Sequence, residues 1–131
     1  MPRVHTATTA TLLTPAFTPT HSWGAFLRER YVPLFELSRV DMVISGHSHI
    51  YQRGAKFGVT YIVTGGAGGE LESERVAETG VYEDSVTRAV HHYGLIDASR
   101  CSLQWAVFDA EDSRVFDSIT LRSSRAPDGL C

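Results

Sequence analysis

The sequence predicts a mixed fold of the α/β or α+β class, in which strands outnumber helices. One helical pattern occurs in the first third, and two short apolar runs with the composition of buried strands follow it. The last third alternates apolar and polar residues in three runs separated by turns, which is typical of an antiparallel meander. A chain of 131 residues, 43% of them hydrophobic, is long enough for one domain with its own core.

The first predicted element is a helix over residues 23–31. Ser22 precedes it and can accept a backbone hydrogen bond as an N-cap. Pro33 is expected to kink or restart the helix, because proline lacks a backbone donor. The apolar side chains of this region recur at helical spacing and define one face, made of Phe26, Leu27, Tyr31, Leu34, Phe35 and Leu37.

Two strands are predicted in the middle of the chain. Residues 40–44 form a nearly continuous apolar run, which indicates a strand covered on both sides. Residues 59–64 are β-branched and aromatic, and they lead directly into the glycine loop, residues 65–69. Residues 70–84 lack a clear period, so we expect a surface excursion whose acidic side chains are solvated, namely Glu70, Glu72, Glu74, Glu83 and Asp84.

The meander is predicted over residues 91–97, 103–107 and 115–121. Strand alternation sends His91 and His92 to opposite faces, so they cannot serve one ion and are interpreted as structural. The domain is expected to span residues 12–122. Residues 1–11 are a threonine-rich start that is predicted to be disordered or loosely packed, and residues 123–131 are a polar tail.

Composition excludes several classes of protein. The net charge is −3 and no cluster of basic residues occurs, which argues against nucleic-acid binding. No apolar run approaches the roughly 18 residues of a membrane span, and the start lacks the features of a signal peptide. The sequence therefore indicates no membrane partner, and it indicates no particular localisation. The two cysteines, Cys101 and Cys131, exclude a zinc finger and leave both their pairing and the cellular compartment open.

The residues with the clearest chemistry are His47 and His49, which follow the buried run 40–44 and Gly46. Imidazole is the commonest protein ligand of zinc, iron and similar ions. Gly46 can adopt a positive φ and leaves room for an ion. In an extended segment, residues two apart point the same way, so both rings could face one centre or two neighbouring centres. Alone, such a pair is a weak signal, and two hydrogen-bonded or exposed histidines are the commoner case.

The surrounding sequence resembles the calcineurin-like metallophosphoesterases, most closely their purple-acid-phosphatase-like branch. The segments VDMVISGHSHIYQRG and GVTYIVTGGAGGEL are similar to the last metal motif of that family, in which a strand leads into Gly-His-x-His-x-Tyr-x-Arg. Gly46, His47, His49, Tyr51 and Arg53 stand in register with it. The helix before this motif and the closing meander also look like the family, so the resemblance covers residues 12–122.

This resemblance implies the C-terminal half of a four-layer α/β/β/α sandwich with a two-metal site. It implies that His47 binds one ion and His49 the other, with Fe, Mn or Zn as the metals and a phosphoester as the small-molecule substrate. Two ions a few ångströms apart stabilise an in-line displacement at phosphorus. His21 stands where the branch has a histidine that acts as an acid or a phosphate ligand; an exposed loop histidine is the alternative. The glycine loop could hold an anion through its backbone N–H groups or could simply be a tight turn.

The other ligands of the family are absent from the chain. Its Asp-x-His, Gly-Asp-x-x-Asp and Gly-Asn-His motifs do not occur, there is no asparagine, and Thr9, Ala10 and Thr11 stand where another histidine is expected. We therefore predict a truncated phosphoester hydrolase that contributes the His-x-His motif. The alternative is a catalytically inactive remnant, or an interaction or structural module. Loss of the partner half would expose a sheet face and favour self-association.

Overall fold

The structure is a computed structural model that describes residues 4–7, 22–72 and 83–123. These residues form one helix and eight strands: β1 (Val4–Ala7), α1 (Ser22–Leu37), β2 (Met42–Ser45), β3 (Tyr51–Lys56), β4 (Val59–Thr64), β5 (Glu83–Arg88), β6 (His92–Ala98), β7 (Ser102–Asp109) and β8 (Val115–Arg122). Among them, α1 is the one helix, and it is too short and polar to cross a membrane.

The strands form two sheets. The first has five strands in the order β1-β2-β4-β3-β5, and the second is the three-stranded sheet β6-β7-β8. Strands β1, β2 and β4 are parallel, whereas β3 is antiparallel to both β4 and β5. The second sheet is an antiparallel meander, as the alternating sequence predicts. The mixed, strand-rich fold class is therefore confirmed.

The core lies on the two faces of the five-stranded sheet. On one face, Val32 and Phe35 of α1 pack against buried side chains of the β2–β4 region, namely Val40, Val43, Val59, Tyr61 and Val63. The other face packs against the meander, and its buried cluster comprises Met42, Tyr51, Ile62, Leu103, Trp105 and Val107. The described layers are thus helix, sheet and sheet. This arrangement explains why β2 and β4 are apolar on both faces.

Four elements differ from the sequence-based expectation. Helix α1 is continuous from Ser22 through Pro33 to Leu37, so it does not restart at the proline. Strand β1 lies within the threonine-rich start, where the composition indicated no regular element, and it contains His5. Strand β5 begins at Glu83, inside the segment that was expected to be an irregular excursion.

The strand β3 was also missed, because its sequence YQRGAK has neither the apolar run nor the alternation of a strand. Its polar residues Gln52 and Arg53 are nevertheless buried, since β3 lies between β4 and β5. Tertiary pairing therefore outweighs local propensity here. Cys101 is disulfide-bonded; Cys131 and the other residues of the polar tail beyond Ser123 lie outside the described residues.

Candidate metal centre

The two predicted ligands lie on one loop, residues 46–50, between the carboxyl end of β2 and the start of β3. His47 is exposed and has a φ of 82°, whereas Gly46 does not have a positive φ. The left-handed conformation that glycine permits at position 46 is therefore adopted by His47 instead. Residues 47–50 form a bend, so the alternation rule for extended segments does not apply to His47 and His49. The left-handed backbone conformation of a histidine raises the free energy of the folded state by roughly 1 to 3 kcal/mol. Such strained residues are typical of functional loops.

The His49 ring is held by the chain that follows the glycine loop. Its Nδ1 lies 2.8 Å from the carbonyl oxygen of Glu70. A carbonyl only accepts, so Nδ1 carries the proton and donates it, and Nε2 keeps its lone pair. In the described part of the chain, Nε2 makes no hydrogen bond. This is the arrangement in which metal-binding histidines are usually found.

Glu72 holds the backbone of the same histidine. The backbone N–H of His49 donates to Oε1 of Glu72 at 3.2 Å, and the N–H of Glu72 donates to the carbonyl of His49 at 3.1 Å. The Glu72 residue is half-buried. The expectation that Glu72 belongs to a solvated acidic surface is therefore wrong, because its carboxylate accepts a hydrogen bond from the candidate metal loop.

The glycine loop is attached to His91 and His92, at the start of β6. The backbone N–H of His92 donates to the carbonyl of Gly66 at 3.1 Å, and Nε2 of His91 donates to the carbonyl of Gly69 at 3.0 Å. His91 is exposed and His92 is buried. The two histidines therefore have structural contacts with the loop that supports His49.

His92 is a neutral, buried histidine. Its Nδ1 donates to the carbonyl of Val90 at 2.8 Å, and its Nε2 accepts from the hydroxyl of Thr64 at 3.0 Å. Burial is the main reason why the pKa of His92 lies below the ordinary histidine value. The ring also meets Tyr51 and Phe116 edge to face. His92 thus joins the glycine loop to the packing between the sheets.

Tyr51 and Arg53, the last two residues of the sequence motif, belong to an inter-sheet cluster that also contains Trp105 and Asp117. Arg53 makes two hydrogen bonds to the Asp117 carboxylate, at 2.6 and 2.8 Å, and the Tyr51 hydroxyl donates to the same carboxylate at 2.6 Å. The indole N–H of Trp105 donates to the Tyr51 hydroxyl at 3.0 Å. The motif therefore ends in a structural contact between the two sheets.

The electrostatics of this cluster keep both charges ionised. Burial raises the pKa of the Asp117 carboxyl, but the hydrogen bonds from Arg53 and Tyr51 outweigh it, so the pKa is lowered. The hydrogen bonds to Asp117 raise the pKa of Arg53. Burial, together with the hydrogen bond to Asp117, raises the pKa of Tyr51, so its hydroxyl remains a donor. Sequence reasoning missed Asp117, although an aspartate on the inward-facing side of β8 signals a buried partner.

The donor set fits a metal ion in part. Imidazole suits Fe, Mn and Zn, and Nε2 of His49 is available as a ligand. Within residues 4–7, 22–72 and 83–123, no group of three or more His, Cys, Asp or Glu side chains could hold a metal ion, whereas catalytic zinc sites use three protein ligands. These residues therefore supply two candidate ligands. His21 lies outside the described residues.

Comparison with known proteins gives a likeness of fold. No family model matches the sequence, and no curated protein matches it. Among solved structures, the chain is similar to GAP50, described as the anchor in the inner membrane complex of Plasmodium, with a TM-score of 0.67 and 17% identity. The match covers 87% of this chain and 36% of the GAP50 chain. It shows a shared fold, and this chain spans about a third of that protein.

Two Vps29 structures are more distant. Vps29 from Entamoeba histolytica, complexed with zinc, matches with a TM-score of 0.40 and 20% identity over 72% of this chain and 46% of its own. Vps29 from Cryptosporidium parvum matches with a TM-score of 0.42 and 19% identity over 84% of this chain and 46% of its own. These TM-scores are too low to establish a shared fold.

Proposed function

We propose that this chain is part of a metal-dependent phosphoester hydrolase of the calcineurin-like metallophosphoesterase type, to which it contributes His47 and His49 as ligands. The observation that carries the proposal is the His49 ring, whose Nδ1 is occupied by the Glu70 carbonyl while Nε2 is available. Assignment to the purple-acid-phosphatase-like branch rests on the sequence motif from Gly46 to Arg53 and belongs to the same proposal.

The role of the chain in this chemistry is to hold and orient ligands. His49 offers Nε2 from a loop that is tied to Glu70 and Glu72, and His47 offers its ring from the same loop. A bound Fe, Mn or Zn ion supplies a Lewis acid for a phosphoester and lowers the pKa of coordinated water. The substrate class that follows is a small phosphoester, and completion of the site requires ligands beyond these two histidines.

Metal binding by the purified chain tests the proposal. Calorimetric titration with Zn²⁺ and with Mn²⁺ is expected to show binding that His47→Ala and His49→Ala each weaken at least about tenfold, as expected for loss of a ligand. His5→Gln, which alters a histidine of β1, serves as the control and should bind like wild type. Equal binding by all four proteins, or no binding by any, would refute the proposed ligand role.

Hydrolysis of p-nitrophenyl phosphate, with Mn, Fe or Zn added, separates the hydrolase from the alternative. Turnover that His47→Ala abolishes supports a hydrolase. Metal binding without turnover supports a chain that contributes ligands but cannot by itself perform the reaction. The absence of both supports a non-catalytic module.

A non-catalytic interaction module is the second candidate, and a specific surface favours it. The outer face of the meander carries an apolar patch formed by Tyr93, Leu95, Phe108 and Val115, of which all but Phe108 are exposed. Tyr93 stacks on Phe108 with ring centroids 5.2 Å apart. Apolar patches of this kind are typical of interaction surfaces, and an anchor role is the one given for GAP50. Self-association through this face belongs to this second proposal.

A further inference from the structure

We propose that residues 69–72, here called the support segment, fix the tautomer and the orientation of the His49 ring so that Nε2 is available to a metal ion. The inference deepens the proposed function and rests on it for the identity of the ligand. It assigns positioning roles to Gly69, Glu70 and Glu72. The sequence indicated a tight turn for Gly69 and a solvated surface for Glu70 and Glu72.

The Glu70 carbonyl fixes the position of the proton on the His49 ring. A neutral imidazole carries one proton, on either Nδ1 or Nε2. The Glu70 carbonyl, 2.8 Å from Nδ1, stabilises the Nδ1–H form, because the other form would place two lone pairs against each other. A backbone carbonyl makes this contact, so the geometry depends on the path of the support segment and not on the Glu70 side chain.

Gly69 leaves the space that the His49 ring occupies. The His49 ring lies so close to Gly69 that a Cβ at this position would be 2.6 Å from Nδ1 and 3.0 Å from Nε2. Any side chain larger than hydrogen would therefore displace the ring. The ring moves because it stands at the end of the His49 side chain. Glycine is thus required at position 69 because it leaves space for the ring. Its ability to adopt a positive φ is not the reason.

Hydrogen bonds near both ends hold the support segment in place. Glu72 makes two hydrogen bonds to the His49 backbone, one through its carboxylate and one through its N–H group. His91 donates to the Gly69 carbonyl at the other end of the support segment. The support segment is therefore bonded both to the loop of residues 46–50 and to His91. It can hold the ring before any ion binds. Such partners of metal-binding histidines typically change metal affinity about 10- to 100-fold.

The decisive variant is Gly69→Ala, with Gly46→Ala as the matched control. A Cβ at position 46 would lie 3.8 Å from the Thr64 carbonyl oxygen, an ordinary contact, and Gly46 has no positive φ. Both variants exchange glycine for alanine close to the same loop, but only Gly69→Ala collides with the His49 ring. Amide spectra of the strands establish that each variant is folded.

The first readout needs no metal. Long-range ¹H–¹⁵N spectra of the histidine rings at pH 8.5, where an ordinary histidine is neutral, are expected to show His49 as the Nδ1–H form in wild type and in Gly46→Ala. Gly69→Ala should shift the population toward Nε2–H. An Nε2–H form of His49 in the wild-type protein, or an unchanged tautomer in Gly69→Ala, would overturn the inference.

The second readout is Zn²⁺ affinity by calorimetry. Gly69→Ala is expected to bind about 10- to 100-fold more weakly than wild type. Glu72→Ala should also weaken Zn²⁺ binding. Glu72→Gln should bind like wild type, because the amide oxygen can still accept from the His49 N–H. Equal affinity of wild type and Gly69→Ala would contradict the positioning role. If wild type binds no Zn²⁺, the proposed function fails, and the tautomer measurement alone decides the positioning inference.

Discussion

Buried polar side chains join the two sheets of this protein. Arg53 belongs to the five-stranded sheet and Asp117 to the meander, and their ion pair is almost entirely removed from solvent, with 9% and 8% of the side chains exposed. Tyr51 and Trp105 extend the same cluster from the two sides. Both oxygens of the Asp117 carboxylate accept hydrogen bonds from the opposite sheet, and these bonds help to define how the sheets meet.

Asp117→Ala is predicted to lower the free energy of unfolding by about 3 to 5 kcal/mol, because it leaves the Arg53 charge buried without its partner. Urea unfolding measures this loss. The double variant Arg53→Met/Asp117→Ala should regain a substantial part of it, since no unpaired charge remains. The control is Arg114→Ala, whose exposed ion pair with Asp112 should contribute less than about 1 kcal/mol. A similar loss in Asp117→Ala and Arg114→Ala would contradict the prediction.

The buried His92 is predicted to make stability depend on pH. Its pKa in the folded protein is below the value of about 6.5 in the unfolded chain, so the unfolded state binds the proton first. Stability is therefore fully present above about pH 6.5 and decreases as the pH falls below it. Urea unfolding at pH 7.5 and pH 5.5 should show this decrease in wild type.

The variants His92→Phe and His91→Gln separate the contributions of the two neighbouring histidines. His92→Phe should lose stability at pH 7.5, by about 1 to 3 kcal/mol, because Val90 and Thr64 lose their partner. Its further loss between pH 7.5 and 5.5 should be smaller than that of wild type. His91→Gln should keep the wild-type pH dependence. An unchanged pH dependence in His92→Phe would show that another group titrates.

At the scale of elements, the meander depends on close packing between β6 and β7. Gly94 of β6 stands opposite Val107 of β7, and the indole of Trp105 covers Gly94 on the inner face. A Cβ on Gly94 would be 2.6 Å from Cζ3 of Trp105. Since Trp105 also donates to the Tyr51 hydroxyl, the position of its ring links the meander to the five-stranded sheet.

Gly94→Ala is predicted to destabilise the protein by about 1 to 3 kcal/mol, because the large indole has little room to move in a closely packed core. The expected readouts are a lower urea midpoint and altered near-ultraviolet dichroism of the tryptophans. Gly46→Ala is the matched exchange at a position with ordinary spacing, and it should remain close to wild type. A stable Gly94→Ala protein with an unchanged tryptophan signal would show that the indole can relax.

At the scale of the whole molecule, the two sheets pack face to face and α1 covers one outer face. The outer face of the meander carries the apolar patch Tyr93, Leu95, Phe108 and Val115 at one end and the polar row Asp97, Gln104 and Thr120 at the other. On α1, Phe26, Leu34 and Leu37 are also exposed. Apolar surface on this scale is a reason to expect association.

Leu95→Lys is predicted to weaken self-association at least about tenfold, because it places a charge within an apolar contact. Sedimentation equilibrium over micromolar to millimolar concentrations should show a wild-type mass above the 14.4 kDa of the monomer. Thr120→Lys adds the same charge within the polar row and should associate like wild type. A wild-type protein that remains monomeric throughout this range would refute the self-association proposal.

The sequence by itself determined the fold class, the helix, the strands β2 and β4 and the meander. These elements carry their own signal, since apolar periodicity, β-branched runs and alternation depend only on which side of an element is buried. The sequence also predicted the position of the His47 and His49 loop, because a glycine and two histidines directly follow a buried strand. The ligand role of these two residues remains a prediction.

Only the tertiary structure decided which polar residues support that loop. The bonds of Glu72 to His49, of His92 to Thr64 and of Asp117 to Tyr51 join residues that are 23, 28 and 66 positions apart in the chain, and β3 also pairs with the distant strand β5. No local pattern encodes a hydrogen bond at that separation, because whether a polar side chain is solvated or buried with a partner depends on how the sheets meet. The His-x-His motif was therefore visible in the sequence, whereas the contact between Nδ1 of His49 and the Glu70 carbonyl was not.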